Sequence, residues 1–273
     1  MCTSKYGFVS GDDVFVLKVA SGFYDNPAMG LPAGDGLILV FSQRSGALEL
    51  VLLDRGWLTD MRTAAAGAVA AKHLAPSTVE CIGIVGTGVQ ARMQLEMLQH
   101  VVDCRRCLVW GRDASKAEAL VEEMRGRHSI QEWGVGIDVA SPLDALVRAS
   151  DLVVTATSAR EPPIDRGLVR AGTHITAMGS DDHGKQELDA DLLGRADVVV
   201  ADSRSQCVDH GECHHAVEGG FLDEADIVEL GDIVSRPSEG RTRADQVTVA
   251  DLTGVAIQDI QIAKMLRRAL GAS

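Results

Sequence analysis

Aromatic side chains make up only 4% of this sequence, with three tryptophans and two tyrosines among 273 residues. That scarcity excludes a base-stacking platform or an aromatic-rich recognition surface. Positive charge is scarce too: 26 lysines and arginines stand against 39 aspartates and glutamates, a formal net charge of −13. Such a chain repels phosphate backbones and anionic lipid surfaces, so neither nucleic acid nor a membrane is expected as a partner. No run of 18 or more apolar residues occurs, and the opening MCTSKYGFVSGDD has neither a basic segment nor an apolar one of the signal-peptide kind. The expectation is a soluble, cytoplasmic protein. The six cysteines, at positions 2, 81, 104, 107, 207 and 213, are too sparse for a disulfide scaffold and are read as reduced thiols. Internal repeats and low-complexity linkers are absent as well.

What is plentiful is small. The 28 glycines, beside many alanines and valines, suit tightly packed α/β layers. Residues 14–19, 36–41 and 48–53 read as strands around the turn-rich GFYDNPAMGLPAGD. LTDMRTAAAGAVAAKHL then reads as a helix, with Thr59 as its expected N-cap and Pro76 closing the segment. From Val79 onward apolar strands alternate with helices: strands at 81–85, 107–110, 135–139, 151–156, 173–178 and 196–201, helices reaching 100 and covering 114–124 and 142–149. Strands apolar throughout, separated by helices, indicate a parallel sheet covered on both faces. The tail at 254–270 reads as an amphipathic helix with Ile262, Leu266 and Leu270 on its apolar stripe. The expected fold is α/β: a Rossmann-type doubly wound domain over residues 64–249, and a smaller β-rich domain from 1–63 joined by about 250–273.

CIGIV runs directly into GTGVQA, so Gly86, Gly88 and Ala91 fill a GxGxxA pattern between strand and helix. Gly86 serves the tight turn, Gly88 lets backbone approach a pyrophosphate, and the helix N-terminus faces the anion. At the end of the next strand Gly111 stands where an NAD-selective site places a carboxylate, and Arg112 follows it. An arginine there can pair a 2′-phosphate, which favours NADP(H) over NAD(H); the competing reading gives Asp113 the carboxylate role or leaves Arg112 on a surface turn.

Two segments carry polar residues that packing does not require. Arg62 sits early in the Ala-rich helix, where a solvated arginine is the simpler reading. MGSDDHGKQEL places Asp181, Asp182, His183 and Lys185 at the carboxyl end of a parallel strand, the edge where open α/β sheets bind ligands. A carboxylate there can shuttle a proton, and the pattern does not choose between Asp181 and Asp182. Cys104 and Cys107 form a single CxxC with no second pair; Cys207, His210, Cys213, His214 and His215 show ligand-type spacings. Both groups are read without a metal.

KVASGFYDNPAMGLP, LTDMRTAAAGAVAAKHLA, GTGVQA, GSDDHGKQEL, SQCVDHGE and DLTGVAIQD resemble, in order, the landmarks of the ornithine cyclodeaminase and mu-crystallin family. The resemblance runs from Val14 to the C-terminal helix, and the GFYDNP and LLDRGWLTDMRTAAAGAVAA wording is most similar to the ectoine-utilisation branch. That family uses NAD(P) with amino acids and their imines, as cyclodeaminases, amino acid dehydrogenases or ketimine reductases, and mu-crystallin also binds thyroid hormone. Position by position, the resemblance implies Lys18 and Arg62 as ligands of the substrate carboxylate and Asp181, rather than Asp182, as general acid/base. It implies Val89, Gln90, Thr157 and Lys185 as cofactor contacts, with Leu252 and Thr253 near nicotinamide and substrate. It also implies a homodimer. Family chains usually begin with several dozen more residues that carry another arginine and, in the cyclodeaminase, a glutamate for water activation; this chain starts just before the Lys18 strand. Ala33 stands where some members have a cofactor-contacting threonine. The leading expectation is an NAD(P)-dependent oxidoreductase of a small amino or imino acid. A cyclodeaminase that recycles the hydride and releases ammonia comes second, and a nucleotide-binding relative without turnover third.

Overall fold

The computed structural model describes residues 2–23, 26–32 and 34–271. Tyr24 and Asp25 of the GFYDNP landmark, and Ala33, lie outside the described residues. In chain order the elements are β1 Cys2–Phe8, β2 Val14–Gly22, β3 Gly34–Ser42, β4 Leu48–Leu52, α1 Trp57–Leu74, β5 Ile82–Val85, α2 Val89–Leu98, β6 Arg106–Trp110, α3 Ala114–Arg125, α4 His128–Trp133, β7 Gly136–Val139 and α5 Leu143–Ala149. They continue with β8 Leu152–Thr155, β9 His174–Ala177, α6 Ala190–Leu193, β10 Val198–Ala201, α7 Arg204–Asp209, α8 Glu212–Glu218, β11 Ile227–Glu229, α9 Leu230–Ser235, β12 Thr248–Asp251 and α10 Ala256–Ala269. They form two compact units, one of residues 1–63 with 254–273 and one of residues 64–253.

The first unit is an antiparallel sheet in the order β1-β2-β3-β4. Alternation along β2 and β3 turns Val14, Val16, Ile38 and Val40 inward, where they meet Leu58 of α1 and Ile260, Ile262 and Ala263 of α10. Gly7 lets α10 approach β1, since a Cβ there would lie 2.9 Å from the Ala256 Cβ. The strand β1 departs from the sequence reading, which assigned none before residue 14: CTSKYGF has little apolar alternation of its own and becomes a strand by pairing with β2 along its whole length. Thr59 is not the N-cap. The α1 helix begins two residues earlier, at Trp57, and the Asp54 carboxylate accepts from the Leu58 N–H at 2.7 Å. Leu270, expected on the apolar stripe of the last helix, is exposed, because α10 ends at Ala269.

The second unit is a doubly wound, eight-stranded parallel sheet in the order β11-β10-β12-β9-β8-β5-β6-β7. Strands such as β5, β8 and β9 are buried along their entire length, as a sheet covered on both faces demands. β12 inserts between β9 and β10, so this unit runs to Thr253 rather than to about 249. β11 and β12 add to the six strands that the sequence pattern predicts for this unit. Among the described residues no helix is long and apolar enough to cross a membrane.

Candidate active site

Parallel register aligns the strand ends. Trp110 pairs with Val85, Val85 with Thr155, Thr155 with Ala177, and Ala177 with Asp251. The residues that follow these ends therefore emerge along one edge: Gly111 and Arg112 after β6, Gly86 and Gly88 after β5, Thr157 after β8, Asp181 after β9, and Leu252 and Thr253 after β12. Neighbouring β5 and β8 lie where the strand order reverses, the place where open α/β sheets hold ligands.

The turn after β5 fits a dinucleotide. Gly86 has φ +130°, and a Cβ on it would stand 2.5 Å from the Ala156 carbonyl oxygen, so a side chain is excluded on both counts. Gly88 opens onto clear space and begins α2 without a side-chain cap, which presents the helix's first N–H groups and the positive end of its dipole to an anion. Val89 is exposed at the start of the helix, with half-buried Gln90 beside it. The Asp113 Oδ1 accepts from the Ser115 N–H at 3.0 Å and caps α3. Arg112 is exposed at the same strand end.

Beyond β9 the loop carries Asp181, whose Oδ1 lies 2.6 Å from the Lys185 Nζ. Asp181 is half exposed whereas Lys185 is buried. Asp182 instead accepts from the His183 N–H at 2.9 Å, a local turn contact. The loop is anchored from behind by a group that sequence reasoning missed. The Glu187 carboxylate accepts from the Thr155 hydroxyl (2.7 Å), the Thr157 N–H (2.6 Å) and the Gly179 N–H (2.7 Å), tying together the ends of β8 and β9. Glu212 in turn accepts from the N–H groups of Glu187 and Leu188 at 2.7 and 3.0 Å. Burial pushes both carboxyls up, Glu212 the more strongly, with nearby Asp251 adding to it. Thr253 donates its hydroxyl to Asp202 at 3.1 Å and accepts from Gln206 at 2.8 Å, while the Leu252 N–H donates to the Ala177 carbonyl.

The Cys/His cluster divides. Cys207 and Cys213 are buried, and burial raises both thiols far above their usual range. His210 meets Asp209 at 3.1 Å, and His183 of the β9 loop approaches the same carboxylate at 3.7 Å. Among the described residues these three bring ligand atoms within 4.8 Å of one another, a grouping that sequence spacing did not suggest. Cys104 and Cys107 are buried single thiols.

The first unit gathers its own polar group. Lys18 on β2 and Arg62 on α1 are both buried, and both contact Asp259 of α10: the Lys18 Nζ lies 3.1 Å from Oδ1 and 3.1 Å from Oδ2, the Arg62 Nε 3.1 Å from Oδ1. The Arg62 Nη1 donates to the Gln258 Oε1 at 2.6 Å. Burial first, and the Arg62 charge second, bring the Lys18 ammonium down to about 8. Asp259 and Gln258 lie within the DLTGVAIQD landmark, where a polar pair in an amphipathic helix carries no signal of burial.

The profile of the ornithine cyclodeaminase/mu-crystallin family matches residues 8–272. An uncharacterised cyclodeaminase of Sinorhizobium fredii is 44% identical over 262 residues, covering 96% of this chain and 78% of that protein. Among solved structures, the Thermococcus litoralis Δ1-pyrroline-2-carboxylate reductase in complex with NADH and L-proline is 29% identical, with a TM-score of 0.84 over 96% of this chain and 84% of that one. An archaeal alanine dehydrogenase dimer with bound NAD is 31% identical, with a TM-score of 0.84 over 96% of this chain and 82% of that one.

Proposed function

This chain belongs to the ornithine cyclodeaminase/mu-crystallin family, and we propose that it is an NAD(P)-dependent oxidoreductase of a small amino or imino acid, a ketimine reductase or amino acid dehydrogenase. The observation that carries this reading is the row of strand ends that presents the Gly86–Gly88 cradle, Thr157 and Asp181 along one sheet edge. Solved relatives with that fold hold NADH or NAD.

In this reading residues 64–253 form the NAD(P)-binding domain, and residues 1–63 with 254–273 form the substrate-binding and oligomerisation domain. Gly86, Gly88, Val89 and Gln90 hold the pyrophosphate at the α2 N-terminus. Thr157 and Lys185 contact the cofactor, and Leu252 and Thr253 lie near nicotinamide and substrate. Bound nicotinamide supplies a hydride acceptor or donor for the substrate α-carbon. Lys18 and Arg62 hold the substrate carboxylate, a fork and a point charge suited to that anion. Asp181 moves the proton at the substrate nitrogen, and Lys185 holds its carboxylate in place.

NADP(H) is taken ahead of NAD(H), because Arg112 stands exposed at the end of β6 and Asp113 turns its Oδ1 to the cap of α3. The assembly is a homodimer. Tyr6, Phe8, Leu48 and Val51 expose apolar surface on the four-stranded sheet, and Phe15 stacks on Phe41 at 4.8 Å beside Phe8. The archaeal alanine dehydrogenase relative is a dimer. Five buried thiols outside any disulfide suit a reducing cytoplasm.

The test is absorbance at the reduced-nicotinamide band with NADPH or NADH and a panel of linear and cyclic imino acids, with ammonia assayed in parallel. Net cofactor oxidation without ammonia supports the reductase. Ammonia release without net cofactor change would replace it with a deaminase, and cofactor binding with neither would replace it with a binding protein.

A further inference from the structure

Two cations that are both to receive a substrate carboxylate face a difficulty of their own. Lys18 and Arg62 are both buried, and like charges brought together away from solvent repel and drive the weaker base to shed its proton. Asp259 answers this. It is fully buried on α10, and its Oδ1 lies 3.1 Å from both the Lys18 Nζ and the Arg62 Nε, with Oδ2 at 3.1 Å from the same ammonium. Gln258 then takes the Arg62 Nη1 at 2.6 Å. The guanidinium is thus held by a hydrogen bond at one end of its fork and by the charge of Asp259 beside Nε.

We propose that Asp259 is a positioning residue: through its shared oxygen it orients the Lys18 ammonium and the Arg62 guanidinium for a carboxylate ligand and holds Lys18 charged. The proposal rests on the reading of Lys18 and Arg62 as carboxylate ligands. Among the described residues, Arg62 on α1 and Lys5 on β1 favour loss of the Lys18 proton, and Asp259 on α10 opposes it. Lys5 stands opposite Lys18 in the β1–β2 register and donates to the Gly254 carbonyl. Ile38, the β3 partner of Lys18, is neutral. The charge of Lys18 fades as pH rises through about 8, and carboxylate binding fades with it. Without Asp259 that loss comes at lower pH.

The experiment uses the full chain as wild type, K18M, D259N and D259E. Turnover of Δ1-pyrroline-2-carboxylate with NADH and NADPH is followed between about pH 6 and about pH 10. Calorimetric binding of L-proline and fluorescence titration of each cofactor accompany it. D259N should raise the KM for the imino acid and the Kd for L-proline by about tenfold, with kcat within about threefold and cofactor affinity unchanged. The upper limb of its kcat/KM profile should move to the acid side of the wild-type limb. D259E should return the limb to the wild-type pH with KM still raised by about threefold. If D259N does not fold, D259E carries the test, and an unchanged KM in it overturns the proposal. A folded D259N with wild-type KM and wild-type limb, beside a K18M that has lost L-proline binding, also overturns it. A K18M that binds L-proline as well as wild type removes the reading of Lys18 on which the proposal stands.

Discussion

The ammonium nitrogen of Lys185 lies 2.6 Å from Oδ1 of Asp181, at the carboxyl edge of the parallel sheet, with the lysine buried and the aspartate half open to solvent. One member of the pair is fixed by packing and the other is reachable by a ligand. Replacing Asp181 by Asn keeps the volume and removes the proton carrier. The expected outcome is a fall in kcat of about 10²–10⁴-fold, the range over which a positioned acid or base contributes. Fluorescence titration should show cofactor affinity within about twofold of wild type. A variant with wild-type turnover would remove Asp181 from the chemistry.

Gly86→Ala should abolish dinucleotide binding and weaken the fold. The added Cβ meets the Ala156 carbonyl oxygen at 2.5 Å, and φ +130° is itself hostile to any side chain. Backbone strain of this kind costs about 1–3 kcal/mol. Urea denaturation should show a loss at or above that range, and a variant that binds NADH normally would disprove the cradle.

Arg112→Ala should raise the KM for NADPH by about tenfold, equivalent to about 1.4 kcal/mol, while the NADH value changes by less than about threefold. Equal effects on the two cofactors would show that Arg112 does not read the 2′-phosphate.

Tyr6→Asp combined with Phe8→Asp places two charges on the outward face of β1, where both side chains are exposed. Light scattering on the wild type should give twice the monomer mass, and on the variant the monomer mass, because a desolvated unpaired carboxylate is costly at an interface. A monomeric wild type refutes the dimer.

His174 and Asp251 should pull stability in opposite directions with pH. His174 is buried on β9 between the hydroxyls of Thr248 and Thr176, and burial, with the Arg241 charge, brings it from 6.5 down to about 3. Between those values the unfolded chain binds the extra proton, so this residue costs stability as pH falls from about 6.5 toward 3, by on the order of 5 kcal/mol in total. Burial raises Asp251 from 3.8 to about 7, so over that window the folded state holds the extra proton and stability falls as pH rises. In urea denaturation, the stability gap between wild type and H174Q should narrow as the medium is acidified. The gap between wild type and D251N should move the other way. Parallel gaps across that range would refute both assignments.

The Gly86–Gly88 turn between β5 and α2 was legible in the sequence because its determinants are local. A buried strand, two glycines with distinct steric duties and a helix start follow one another within a few residues, so CIGIVGTGVQA specifies its own turn. The alternation of apolar strands and helices likewise declared a covered parallel sheet, and with it the edge at which Asp181 and Thr157 emerge. Tertiary structure decided the rest. β1 forms on the register of β2, and β12 takes its place between β9 and β10, since strand pairing is a long-range choice that no segment encodes alone. Lys18 and Asp259 are 241 residues apart, and only packing of α10 on the sheet brings them together. A carboxylate in an amphipathic helix reads as a solvated polar residue until the fold removes water from around it. Burial then sets an ordinary aspartate against Lys18 and Arg62 together.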